Sequence, residues 1–127
     1  MRHIEFYFLE STLRRGNSLE QLLGRCDSDT SPNIRWLELR PVTEGIEIWC
    51  FDVPDIGSIE FTDVYEFGSD DTNDPVACVS NPGEALVFAH SQLGALPEFW
   101  VNATMVGDEY LNFVRAGRVK DWRVVRA

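Results

Sequence analysis

The sequence predicts an α+β domain, a largely antiparallel sheet with a central meander and two or three helices packed on it. Two observations carry this expectation. Residues 34–40, 46–53 and 58–67 have strand composition and are joined by connections of four or five residues, which favours adjacent antiparallel strands. Further on, Asn81-Pro82-Gly83-Glu84 supplies an N-cap, a proline at the first helical position and an acid at the third, the start signal of a helix. The 127 residues have the length of one domain, and 44% hydrophobic content lies far from the disordered regime.

Taken in order, residues 3–9 predict a first strand, being rich in aromatic and branched side chains. Residues 17–24 predict a short helix, with Ser18 and Gln21 as a capping box and Gly24 in the left-handed position at its end. Residues 26–33 have loop composition. In the third strand of the meander, Ile59, Phe61, Tyr65 and Phe67 share a core face with Asp63, while Glu60, Thr62, Val64 and Glu66 share a wet one. The middle strand carries apolar bulk on both sides, Ile46, Ile48 and Cys50 opposing Trp49, Phe51 and Val53. That pattern fits a central strand covered on each face, or an aromatic patch awaiting a partner.

Residues 68–75 have turn composition throughout and predict an exposed loop, followed by a short edge strand at 76–79. The helix from Pro82 to about Gly94 is apolar on most of its circumference, through Ala85, Leu86, Val87, Phe88, Ala89 and Leu93, and should be buried against the sheet. Residues 98–105 predict a strand, 108–116 a helix ended by Gly117 with Tyr110, Leu111 and Val114 on one side, and 121–126 a last strand.

Charge is distributed unevenly along this framework. Residues 41–114 hold fourteen carboxylates and not one Lys or Arg, so the three parts of the chain, 1–40, 41–114 and 115–127, carry 0, −14 and +4. A single-sign field of this size opposes folding through self-repulsion, and it serves solubility or the steering of a cationic partner. Nucleic acid is a poor ligand for such a chain, because phosphate binding needs clustered basic residues. Ten of the eleven basic residues are Arg, the side chain best suited to paired bonding with carboxylates, so the basic tail from Arg115 to Arg126 is expected to dock on the chain's own acidic middle.

No apolar run approaches the roughly 20 residues of a membrane span, and the apolar run after Met1 is broken by Glu5 and closed by Glu10, too short for a signal peptide. Cys26, Cys50 and Cys78 are odd in number and widely spaced, which points to free thiols and a cytoplasmic protein. The acidic loop with Asp70, Asp71 and Asp74 lacks the alternating ligands, the glycine and the distal glutamate of a calcium loop. His3 and His90 are scattered singly among the cysteines, without zinc spacing, and His3-Ile4-Glu5 has no Pro-Cys-x-x-Cys to complete a deaminase motif. No phosphate loop, nucleophile elbow or other cofactor or catalytic motif is present, so neither metal nor cofactor is expected. Asp63, on an otherwise apolar face, is the one candidate general acid or base, with His90 as its possible partner. A structural hydrogen bond is the simpler role for a polar group placed there.

In size, in its uncompensated carboxylates from Glu44 to Asp74 and in the interleaved Trp49, Tyr65 and Trp100, the chain resembles bacterial immunity proteins of the contact-dependent growth inhibition and polymorphic toxin systems. The resemblance implies a cytoplasmic protein, not an enzyme, that binds and neutralises one cognate toxin, often a basic nuclease. Glu60, Glu66, Asp70, Asp71 and Asp74, with Trp49, are the expected partner-binding residues. Small acidic secretion chaperones share the same character and would be told apart by a dimer holding an extended client peptide. A small enzyme using Asp63 and His90 would instead show a pocket holding both.

Overall fold

Five antiparallel strands form one sheet: β1 (Leu19–Arg25), β2 (Asn33–Val42), β3 (Gly45–Pro54), β4 (Ala77–Val79) and β5 (Val101–Asn102), in the order β4-β3-β2-β1-β5. Three helices, α1 (Leu9–Arg14), α2 (Pro82–Leu93) and α3 (Val106–Arg115), complete an α+β domain in this computed structural model, which describes residues 2–26, 32–68, 74–119 and 122–123. The β2–β3 hairpin is its centre, paired without interruption from Asn33 opposite Pro54 to Val42 opposite Gly45. Alternation along these strands sends Leu37, Leu39, Ile46 and Ile48 to one face, where α1 and α2 cover them with Leu9, Leu13, Ala85 and Ala89. Ile34, Trp36 and Val53 go to the other face, against Val106, Tyr110 and Phe113 of α3 and the 3₁₀ turn at Val64–Glu66. The middle strand is thus central and covered on both sides.

Several elements form as the local sequence dictates. Asn81 caps α2, its side chain accepting the Glu84 N–H at 3.0 Å, and Gly94 ends the helix in the left-handed conformation. Helix α3 ends before Gly117, whose φ is +86°. Burial of α2 is narrower than its composition suggests: Ala85 and Ala89 are buried but Val87 is exposed, because α2 touches the sheet along one stripe only.

Four predicted strands or helices take another form. Residues 3–9 make only a bridge from His3 to Val101 before turning into a 3₁₀ turn at Phe6–Phe8 and then α1. The reason lies just downstream, where Leu9 and Leu13 recur at helical spacing, both buried, and Thr12 donates from its hydroxyl to the Phe8 carbonyl at 2.7 Å. Residues 17–24 are strand β1 rather than a helix. Leu19, Glu20, Gln21 and Leu22 are all buried, which an element sandwiched between two layers requires and a capped surface helix does not. Gly24 sits at a β-bulge with φ +110°, where a Cβ would lie 2.7 Å from the Trp122 indole nitrogen, so the glycine serves close packing and not a helix end.

Residues 58–67 are not a third meander strand: β4 is the strand that pairs with β3, along Ile46 to Ile48, and the meander runs through β1 instead. The segment folds back at a Ser58–Phe61 bridge and packs over α3, burying Val64 and Phe67 while Ile59, Phe61 and Tyr65 are exposed. Residues 98–105 hold the end of a 3₁₀ turn (Pro97–Phe99) and the two-residue β5. Trp122 and Arg123 lie in a turn, and the rest of the predicted last strand falls outside the described residues, as do most of the loop at 26–33 and residues 69–73.

Two anchors tie other parts of the chain to α3 and to the turn that follows it. The Glu109 carboxylate, 1% exposed, pairs with Arg2 at 2.7 Å and His3 at 2.8 Å. Arg118 pairs with Asp55 at 3.0 Å and donates to the Gly57 carbonyl at 2.6 Å, so the basic tail docks on the acidic middle through this residue.

Candidate functional site

On the face that carries α3, cover is incomplete. The helix and its neighbouring 3₁₀ turn bury Leu22, Ile34, Trp36 and Val53, but Glu38, Arg40, Glu47, Trp49 and Phe51 beyond them are only half-buried. Strand register sets their arrangement: Glu20 stands directly opposite Glu38, Glu38 opposite Trp49, Arg40 opposite Glu47, and Trp36 opposite Phe51. Arg40 is therefore flanked by Glu38 and Glu47, while Glu20 faces Glu38 from the neighbouring strand. Like charges directly opposite across a strand pair are destabilising, so this end of the sheet is not arranged for stability alone.

Arg40 is held by both oxygens of Glu38, at 2.9 and 3.1 Å, which raises its pKa, and its guanidinium lies 4.4 Å above the centre of the Trp49 ring. The Trp49 indole donates to Glu47 at 3.0 Å. Glu20 is 4% exposed and has no basic partner among the described residues. It accepts from the Tyr65 hydroxyl at 2.6 Å and from the Thr104 N–H at 3.1 Å. Burial pushes the Glu20 carboxyl above its usual range, the charge of Glu38 adds to the rise, and the Tyr65 bond opposes it. The Tyr65 phenol is itself pushed up, by burial first and then by its bond to Glu20.

The aromatic rings form a continuous stack. Trp49 lies parallel to Phe51 at 5.9 Å, Phe51 stacks on Trp36 at 4.3 Å, and Tyr65 meets Trp36 edge-on at 5.2 Å. Between this stack and the 3₁₀ turn opens a cavity of about 310 Å³, lined by Trp36, Glu38, Phe51, Val53, Val64 and Tyr65 among others. The Trp36 indole N–H is buried and has no acceptor among the described residues, an exception to the rule that buried polar groups are paired.

The segment from Asp55 to Gly68 forms one rim. Its start is fixed, since Asp55 is held by Arg118 and by the Tyr110 hydroxyl, whose pKa is pushed up to about 12 by burial and by that bond. Gly57 lies so close to α3 that a Cβ would meet Phe67 at 2.3 Å and Tyr110 at 2.6 Å. Beyond it the segment turns outward. Ile56 and Ile59 are each 58% exposed, Phe61 40% and Tyr65 43%, and the exposed Glu60, Asp63 and Glu66 lie between them. None of these three carboxylates is in an ion pair among the described residues.

Of the residues expected to bind a partner, Glu60, Glu66 and Asp74 are exposed, and Trp49 is half-buried under Arg40. Glu60 and Glu66 project from an irregular segment rather than from a strand, and Asp70 and Asp71 lie outside the described residues. Asp63 and His90 are not brought together. The Asp63 carboxylate caps the 3₁₀ turn by accepting the Tyr65 N–H at 3.2 Å, on the α3 side of the sheet. His90 is on α2 on the opposite side, its Nδ1 bonded to the Ala95 carbonyl at 2.7 Å. Among the described residues no three His, Cys, Asp or Glu side chains are placed to share a metal ion. Cys26, Cys50 and Cys78 are not joined to one another by disulfides.

Sequence reasoning missed Glu20, Glu38 and Glu47. The signal for Glu38 was available in the face that runs Ile34, Trp36, Glu38, Arg40, apolar at one end and charged at the other, whereas Glu20 was hidden by the helical reading of its segment. Comparison with known proteins finds no family model, no curated sequence and no solved structure that matches this chain.

Proposed function

We propose that this chain is a protein-binding module that takes a cationic protein on the surface formed by the 55–68 segment and the open end of the sheet. Within that class we propose a bacterial immunity protein, resident in the cytoplasm, that neutralises a cognate toxin. One observation carries the reading: four large apolar side chains, Ile56, Ile59, Phe61 and Tyr65, are exposed within ten residues and interleaved with three carboxylates that have no basic partner among the described residues. Exposed apolar clusters with a polar rim are where partners bind, and the central aromatics of such a patch set the off-rate. The carboxylates, within a chain of net charge −10, attract a basic surface and raise the rate of encounter. No helix among the described residues is long and apolar enough to cross a membrane, which is compatible with a cytoplasmic role.

The test is co-expression with the product of the adjacent reading frame, scored as cell survival, for the parent and for a Glu60→Lys/Glu66→Lys variant. The parent should protect. The variant should associate at least about tenfold more slowly at low salt, a difference that shrinks as ionic strength rises. Equal protection and equal salt dependence in a variant that folds normally would overturn the assignment of this surface.

A further inference from the structure

We propose that the cavity between α2 and the N-terminal turns, on the opposite face of the sheet from the acidic surface, is a small-molecule site. Its ligand is a neutral fused aromatic ring with one hydrogen-bond donor, of the indole class. The volume is about 420 Å³, within the roughly 300–1,000 Å³ of cavities that hold such ligands. A cavity of about 150 Å³ already takes benzene, so two fused rings have room here. The lining is almost wholly apolar, with Leu9 from α1, Leu86 and Val87 from α2, and the rings of Phe6 and Trp100. Trp100 is 1% exposed and Phe6 70%, which puts one ring at the base of the cavity and the other at its mouth. A flat ring entering there meets both and covers a phenylalanine now left in water.

Two features make this more than a gap in the packing. The first is Gly83, in the first turn of α2, which lines the cavity. Nothing local demands glycine at this position: its φ is outside the left-handed region, and a Cβ would stand in ordinary contact, 3.4 Å from the Asn81 side chain and 3.7 Å from that of Glu10. Glycine is the poorest helix former after proline, so what its missing side chain does is leave the cavity open. The second feature is chemical. A carbonyl only accepts, so the 2.7 Å contact from His90 to the Ala95 carbonyl places a proton on Nδ1, and Nε2 of the neutral ring is left as an acceptor with no partner among the described residues. His90 lines the cavity, and a donor on the ligand completes it.

Charge sets the rest of the ligand's character. Glu10, the one other ionisable side chain in the lining, is already paired with Arg14 at 3.0 Å, so no free charge is offered to a cation. No described Lys or Arg lines the cavity to hold an anion, and a chain of net charge −10 repels one. A neutral ring with one N–H or O–H is what remains.

The test uses the full chain and three probes, indole, 1-methylindole and indole-3-acetate, titrated while the Trp100 and His90 ring signals are followed by NMR. Indole should shift both saturably. 1-Methylindole keeps the rings without the donor and should bind up to about tenfold more weakly, the loss of one hydrogen bond. Indole-3-acetate carries a negative charge and should also bind more weakly than indole. In a Gly83→Leu variant, checked for an unchanged melting profile, the added side chain occupies the cavity and indole binding should be lost. Because the two sites lie on opposite faces, the Glu60→Lys/Glu66→Lys variant should bind indole as the parent does.

No saturable shift at Trp100 and His90, or unchanged binding after Gly83→Leu, would overturn the proposal. Equal binding of 1-methylindole would overturn the part given to His90, and tighter binding of indole-3-acetate would overturn the neutral class. Sedimentation of the chain without ligand tests the rival occupant, a second copy. A dimer whose formation shifts the Phe6 and Val87 signals would make the cavity an interface between copies and overturn the site.

Discussion

The two faces of the sheet solve the same burial problem to different extents. On the face under α1 and α2, the sheet residues Leu19, Leu37, Leu39 and Ile48 are fully buried, and the one polar side chain of β1 on that side, Gln21, is satisfied three times, accepting the Leu96 N–H at 2.8 Å and the Arg123 guanidinium at 2.6 Å and donating to the Leu96 carbonyl at 2.9 Å. On the face under α3, cover stops at Trp36, and beyond it Glu20 opposes Glu38 beside a half-buried aromatic stack. A chain that closes one face so fully has the means to close the other. Where local choices depart from what stability favours, a function is the usual reason, and here the departures coincide with the exposed apolar and acidic 55–68 segment.

The contrast is sharpest between two buried carboxylates on the α3 side, Glu109 at its covered end and Glu20 at its open one. Glu109 has Arg2 and His3, so Glu109→Gln removes a buried partner and should cost about 3 kcal/mol in urea denaturation. A loss under about 1 kcal/mol would mean that the N-terminal anchor is not what holds α3. The next largest effect compares the faces directly. Leu37→Ala should cost about 2–5 kcal/mol, since its side chain is fully enclosed, whereas Trp49→Ala, at a half-buried ring, should cost less, about 1–2 kcal/mol. Equal losses would break the comparison.

Glu20 should respond in the opposite sense to Glu109. Its folded pKa is raised above the unfolded value near 4.5, so between the two the native state keeps a proton that the unfolded chain has lost. Stability therefore falls as pH rises through that window, and at neutral pH the ionised, unpaired carboxylate is a liability. Glu20→Gln keeps an acceptor for Tyr65 and removes the charge. The variant should match the parent at about pH 4 and become the more stable of the two as pH rises to about 8. A parent whose stability does not fall relative to the variant over that range would show that Glu20 is stabilised by something other than its hydrogen bonds.

How far the sequence made these faces legible depended on whether a segment's order was set by near or distant neighbours. Helix α2 was readable because Asn81, Pro82, Glu84 and Gly94 carry its limits locally, and the β2–β3 hairpin because its turn is short. Strand β1 was not, because Leu19 to Leu22 are buried only when two layers close over them, and a capping pattern with no tertiary support yields to that burial. Residues 58–67 alternate like a strand, but β4 is the strand that pairs with β3, at Ile46 to Ile48, and the segment packs over α3 instead. The acidic character of the site was visible in composition. Its geometry was not, since Glu20 and Glu38 become neighbours only through the β1–β2 register.

The smallest expected effect on stability comes from the residues assigned the largest effect on binding. Glu60 and Glu66 are exposed, and neither is in an ion pair among the described residues, so Glu60→Lys/Glu66→Lys removes no contact that holds the fold. Exposed substitutions of this kind shift stability by less than about 0.5 kcal/mol, and here the sign should be favourable, because two of fourteen carboxylates in a stretch without basic residues are replaced by cations. The gain should be largest at low ionic strength and vanish once added salt shortens the screening length to about 3 Å, near 1 M. Denaturation of parent and variant at low and high salt checks both points. A loss above about 1 kcal/mol would show that these glutamates belong to the folded core of the α3 face and not to a surface left open for a partner.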